Sequence, residues 1–192
     1  MFIAIKKTLI KGFTITELLI GIAILGLLTA IAVPNLNEFY VQSRVSSEIS
    51  EIHKLILTAR NSAINSGKNI TICPLSSNKC VSNWQNEVSV FDNNDNTVAN
   101  NEVYDSSNES IIKVKAATLS GDTIKFAQKS IIFAPTGRLI SGGNSKISYC
   151  PKGYNNLSRG LEISLSGRVY IKSDRNNDGK DEHRDGTVVS CT

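Results

Sequence analysis

Hydrophobic positions along this chain fall into three successive regimes. From Phe13 to Val33 they are nearly continuous, 21 residues carrying a single charge, Glu17. From Val45 to Ala63 they recur at three- and four-residue steps, through Ile49, Ile52, Leu55, Ile56 and Ala59. Arg44, Glu48, Glu51, Lys54 and Arg60 lie largely off that stripe. Such spacing predicts an amphipathic helix with one buried face. Asn65 to Gly67 reads as its stop, with Gly67 a fitting residue just past the end. One long helix is therefore predicted from about Phe13 to Ser66, and Pro34, which lacks a backbone donor, predicts a kink or a local loosening.

From Lys68 onward the helical period disappears. Short β-branched runs take over: NITIC, EVSVF, IIKVKA, TIKF, SIIFA, KISYC, LEISL, RVYIKS and TVVSC. Turn clusters such as SSNK, DNNDN, PTGR, SGGN and NNDG separate them. The pattern predicts an α+β protein whose antiparallel sheet body, mostly meander, packs on the amphipathic half of the helix. DNNDNTVANN reads as a surface loop.

The first apolar stretch has the dimensions of a membrane span. Twenty-one residues rise about 32 Å, against a hydrocarbon core of about 30 Å. Lys6, Lys7 and Lys11 on its N-terminal side predict a cytoplasmic N-terminus and a body on the far side of the membrane. The formal charge of +4 drops to +1 without those three lysines. A nearly neutral body is weak bait for nucleic acid, so any such binding requires a local patch.

Four cysteines, Cys73, Cys80, Cys150 and Cys191, all follow the apolar stretch. An even count beyond a membrane segment implies disulfides in an oxidising compartment. Three pairings are open. Cys73–Cys80 and Cys150–Cys191 are favoured as the local pair and the pair flanking the C-terminal region, with upper stabilisations of about 2.5 and about 4 kcal/mol. Zinc is disfavoured because Cys73 and Cys80 lack a close CxxC partner.

Glu17 is the residue that a simple membrane anchor does not need. A carboxylate in hydrocarbon costs about 2.5–3.5 kcal/mol and requires a partner. A secretory signal places its small residue after the apolar run, whereas Gly12 precedes it here. Cleavage after Gly12 would create an α-amine on Phe13, four residues from Glu17 on the same helical face.

These residues carry a resemblance. KGFTITELLIGIAILGLLTAIAVPNL is similar to the N-terminal signature of type IV pilins and pseudopilins, in its Gly12–Phe13 junction, Thr16–Glu17, apolar run and Pro34. Ile15 stands where leucine is more usual. The resemblance implies the type IV pilin fold, cleavage between Gly12 and Phe13 by a prepilin peptidase, and N-methylation of Phe13. It also implies that Glu17 pairs with the terminal amine of an adjacent subunit. The implied organisation is a leader over 1–12, a transmembrane and assembly helix over 13–33, an amphipathic half over 34–66 and a β-rich body over 67–192.

Motifs of the body resemble the GspH/FimT group of minor pilins and pseudopilins: ITICP followed by Cys80, NW, VSVFDNNDNTVANNEV and IIFAPTGRL. That resemblance implies a minor pilin of a type IV pilus, acting in a tip or priming complex with other major and minor pilins. The alternatives it leaves are a minor pseudopilin of type II secretion and a DNA-binding pilin for natural transformation. Trp84 reads as ordinary core.

Chemistry is sparse. No GxSxG, HExxH, Walker or Rossmann pattern occurs, so catalysis is not expected. The two histidines, His53 and His183, have no identifiable nucleophile or ligand arrangement. DRNNDGKDEHRD sets Asp174, Asn176 and Asp178 at alternate positions, Gly179 at the sharp turn, and Asp185 where a calcium loop has its last ligand. Asx residues and glycine also make good turns, so a plain hairpin loop is the expectation and calcium the alternative; no cofactor is expected. DNA-receptor pilins of the FimT type carry a Gly-Arg-x-Arg motif; here Gly167, Arg168 and Val169 match and Tyr170 replaces the second arginine. Arg159, Lys172, Arg175 and Arg184 are candidate compensating cations, opposed by Asp174, Asp178, Asp181, Glu182 and Asp185. Weak, steeply salt-dependent DNA binding is the most this pattern implies.

Overall fold

A computed structural model of the chain describes residues 12–94, 102–140, 145–183 and 186–191. The three leader lysines, most of the DNNDNTVANN stretch, the whole SGGN turn, Arg184 and Asp185 lie outside the described residues. The chain divides into two compact units, Met1–Tyr40 and Val41–Thr192, so the boundary falls within the long helix and not at its end.

That helix, α1, spans Ile15–Ser66, 52 residues. Among the described residues no single helix is long and apolar enough to cross a membrane; only Ile15–Ile31 and Leu36–Ser66 taken together satisfy both criteria. The break falls around Pro34, where the backbone donor is missing. Ile15–Ile31 alone rises about 26 Å, short of a hydrocarbon core of about 30 Å. At the other end Gly67 adopts φ +68°, and its N–H donates to Ala63 O at 3.1 Å, closing the helix in the left-handed conformation that glycine tolerates.

The second unit is built on the helical stripe. Val41, Val45, Ile49, Ile52, Leu55, Ile56, Ala59 and Ala63 are all buried. They join Ile70, Ile72, Val90, Phe133, Ile147, Tyr149, Leu161 and Ile163 in one core cluster. Five strands form the first sheet: β1 (Asn69–Ser76), β2 (Lys79–Cys80), β3 (Val88–Asn93), β4 (Ile111–Lys115) and β6 (Ile131–Phe133). The second sheet holds β5 (Thr123–Phe126), β7 (Ser145–Cys150), β8 (Arg159–Ile163) and β9 (Val169–Ile171), in the order β5-β7-β8-β9. All pairings are antiparallel.

The first sheet departs from the expected meander. The chain leaves it after β4, lays β5 in the second sheet, and returns to pair β6 with residues 70–72 of β1. β2 pairs farther along β1, at residues 75 and 76. β1 is consequently paired along both edges, by β3 on one side and by β6 and β2 on the other. Ile70 and Ile72 enter the main core, while Cys73 joins Cys80 and Phe91 in a second small cluster beside Leu75 and Tyr104. TVVSC forms no strand of its own. The Gly186 N–H donates to His183 O at 2.9 Å and the His183 N–H to Thr187 O at 2.7 Å; Glu182 and Val188 make an isolated bridge.

Polar contacts fix the amphipathic half of α1 to the sheets. Buried Lys115 meets Glu48 at 2.8 Å. Arg44 lies 3.1 Å from Asp122, whose carboxylate also accepts the Tyr149 hydroxyl at 2.5 Å and the Lys152 N–H at 2.8 Å. Burial, with the hydrogen bond to Asp122 next, holds the Tyr149 hydroxyl well above its ordinary range, so it stays a donor. Trp84 is buried, with its indole N–H donating to Gln128 O at 2.9 Å and its ring edge-on to Phe126 at 4.9 Å. That is the satisfied core role expected of it.

Candidate functional site

Gly12 and Phe13 precede the first turn of α1, and every described side chain from Gly12 to Tyr40 is exposed. The exposed set includes Phe13, Leu18, Leu19, Ile22, Leu25 and Leu28. A contiguous apolar surface of this kind is matched by lipid or by other apolar surfaces, not by water. Thr14 O accepts the Leu18 N–H at 3.1 Å, which makes Thr14 the N-cap. The Glu17 N–H donates to Thr14 Oγ1 at 3.2 Å, and the Thr14 N–H donates to Glu17 Oε2 at 3.4 Å. This reciprocal pair is a capping box. Glu17 therefore has a local task in its own chain, which the search for a membrane counter-ion passes over. The signal was legible in Thr14-Ile15-Thr16-Glu17.

Downstream, the cysteines are joined as Cys73–Cys80 and Cys150–Cys191, with Cα–Cα separations of 5.5 and 5.9 Å. The first lies beside the β1–β2 turn. The second ties the C-terminal segment to the end of β7.

The candidate DNA patch is not assembled as expected. Lys172 is buried, its side chain 2% exposed, and its ammonium pairs with Glu162, itself 9% exposed. It is withdrawn as a phosphate contact because its charge is already neutralised inside the protein. Arg159 is also engaged, with Nε 3.0 Å from Asp181 Oδ2 and NH1 donating to Ser46 Oγ at 3.1 Å. Arg168 and Arg175 remain exposed. Gly167 serves backbone geometry. It adopts φ +77°, and a Cβ there would lie 2.0 Å from Gly137 O, the same oxygen that accepts Arg60 Nε–H at 3.1 Å. Gly167→Ala is accordingly expected to cost about 3 kcal/mol or more from left-handed strain plus the clash, read as a lower urea midpoint at unchanged slope.

In the acidic loop, Asp174, Asp178 and Glu182 converge, with one carboxylate oxygen of each within 4.8 Å of the others. Asn176 Oδ1 is taken by the Asp178 N–H at 2.9 Å. Asp174 accepts the N–H groups of Asp178 at 3.2 Å and Gly179 at 2.8 Å. Glu182 is the member that alternate spacing did not mark. Burial lifts the Asp181 carboxyl above the usual carboxylate range; its bond to Arg159 opposes this, while the charges of Glu182 and Asp174 add to it.

Comparison with known proteins decides the family. The model of the family described as type II transport protein GspH matches residues 48–167, more than half of the chain. This chain belongs to the GspH family. It is a minor pilin or pseudopilin. Among solved structures, the type IV minor pilin FimU of Pseudomonas aeruginosa superposes with a TM-score of 0.54 at 18% identity, over 70% of this chain and 92% of that one. At that identity the likeness speaks for the fold. A fimbrial protein of Pseudomonas aeruginosa is 45% identical over 60 residues, 31% of this chain and 38% of its own length. A type IV major fimbrial protein, FimA of Dichelobacter nodosus, is 40% identical over 67 residues, 35% of this chain and 42% of its own. The chain thus spans about two fifths of the length of the curated relatives it matches.

The GspH match begins at Glu48 on α1 and ends at Gly167, so it takes in β1 to β8. The capping box, β9 and the acidic loop of this GspH protein lie outside it.

Proposed function

We propose that this protein is a minor subunit of a bacterial type IV pilus, acting in the tip or priming complex that starts assembly. It waits in the inner membrane with its body in the periplasm and leaves the membrane when it joins the fibre. Its work is packing against other pilins, not turnover. One observation carries this reading: the apolar side chains of Phe13–Tyr40 are exposed, and Glu17 at the start of the helix is the one acid between Phe13 and Val33. A surface of that kind is suited to lipid first and to neighbouring helices afterwards. Prepilin peptidase would cut between Gly12 and Phe13 and leave a methylated Phe13 amine as the partner for Glu17 on a neighbouring subunit.

Deletion of the gene tests the reading when piliation, type II secretion and DNA uptake are scored separately. Loss of surface pili with secretion intact is the expected result. Loss of secretion alone would assign the protein to a secretion pseudopilus instead. The DNA-receptor reading retains Arg168 and Arg175 as its exposed cations. DNA binding at about 150 mM salt is expected to be weak and steeply salt-dependent. Tight binding there, abolished by Arg168→Ala, would favour the receptor role.

A further inference from the structure

We infer that Asp174, Asp178 and Glu182 form a calcium site in the C-terminal loop. Their carboxylate oxygens lie within 4.8 Å of one another. A second observation is independent of that clustering. Glu182 is 5% exposed, and its Oε1 is buried with no hydrogen-bond partner, while Oε2 accepts the Arg175 N–H at 2.8 Å. An unsatisfied carboxylate oxygen shut away from water is costly, and the neighbours brought to Glu182 are two further carboxylates. Among the described residues, no lysine or arginine side chain forms an ion pair with any of the three. A cation removes both penalties at once, since it satisfies the oxygen and offsets the repulsion.

Ligand chemistry and spacing select the ion. All three donors are hard carboxylate oxygens, which suit calcium or magnesium and not the softer transition metals. Three oxygens spread evenly around one ion stand at most about 4.5 Å apart at calcium–oxygen distances of about 2.3–2.6 Å, and at most about 3.6 Å apart at the about 2.0–2.1 Å of magnesium, which also resists losing its water. Oxygens that lie within 4.8 Å of one another therefore close on calcium with the smaller adjustment of the loop. Asp174 still has lone pairs to offer, because each of its oxygens accepts a single N–H. The ion would tie the loop's start to Glu182, which forms bridges with both Ser173 and Val188. It would thereby clamp the C-terminal segment that Cys191 anchors by a disulfide.

The test uses the full chain in detergent, stripped with a chelator and titrated with calcium chloride by calorimetry at about 150 mM salt. One ion per chain is expected, with Kd on the order of 10⁻⁴–10⁻³ M and a rise in melting temperature that equimolar magnesium does not reproduce. Asp178→Asn, at an exposed position, is expected to weaken binding at least about tenfold, the mark of a lost charged ligand. Glu182→Gln should do the same, and Asp105→Asn, in a separate exposed turn, should leave binding unchanged. Absence of both heat and melting shift up to millimolar calcium would overturn the site. So would equal affinity in the wild type and in Asp178→Asn.

Discussion

As a pilus subunit of the kind proposed, the Glu17→Gln protein is expected to drop out of the fibre while its helix start stays intact. Glutamine can serve at the third helical position of a capping box as glutamate does, so the reciprocal bonds with Thr14 survive the change. The negative charge is lost. If Glu17 acts only within its own chain, the Glu17→Gln protein should enter fibres normally. If it neutralises a terminal amine on a neighbour, that amine is left unpaired in an apolar interface. An unpaired charge there costs about 2.5–3.5 kcal/mol, which corresponds to a loss on the order of a hundredfold. The measurement is the ratio of this subunit in sheared pili to that in the membrane fraction, with Glu17→Leu alongside. Loss in both variants, at unchanged membrane levels, supports the charge pairing. Loss in Glu17→Leu alone assigns the residue to the cap.

The second large effect concerns Lys172 and Glu162. Both are buried, and the pair sits between β8 and the end of β9. Lys172→Met alone strands the Glu162 carboxylate and is expected to destabilise the protein by about 3–5 kcal/mol. In a body of this size that lowers the melting temperature by on the order of 10 °C. Glu162→Leu alone should cost a similar amount, because it strands the ammonium. The double variant, Glu162→Leu with Lys172→Met, is expected to return to within about 1 kcal/mol of the wild type, since an apolar pair avoids the desolvation penalty. A thermal melt of all four proteins closes the cycle. Additive single effects would show that the two charges act independently. This experiment also separates fold from binding: a loss of DNA affinity in Lys172→Met that tracks unfolding is not evidence of a phosphate contact.

Stripe positions along α1 were legible because helical geometry maps a three-and-four spacing onto one face. Ile49, Ile52, Leu55, Ile56, Ala59 and Ala63 needed only that one face to meet a core, and all are buried. Eight of the nine β-branched runs became strands because alternation also encodes a local geometry. TVVSC did not: a strand needs a partner of sufficient length, and among the described residues this run makes the single bridge of Val188 with Glu182. The return of β6 to β1 was equally invisible. Strand order follows from which apolar faces can be covered together, a property of the whole chain and not of any segment.

The candidate sites divide along the same line. Residue types and spacing by themselves determined the lone acid at Glu17, the long helix with its apolar stripe, and the acidic loop as a place of interest. Tertiary structure alone decided which charges are available. It buried Lys172 against Glu162, occupied Arg159 with Asp181, and brought Glu182 to Asp174 and Asp178. The reason is physical. A helix or a capping box is specified by neighbours within a few positions, and those are written next to one another in the chain. A charge becomes a ligand, a salt bridge or a free surface group according to its burial and its partners, and both are set by segments that meet only when the protein has folded.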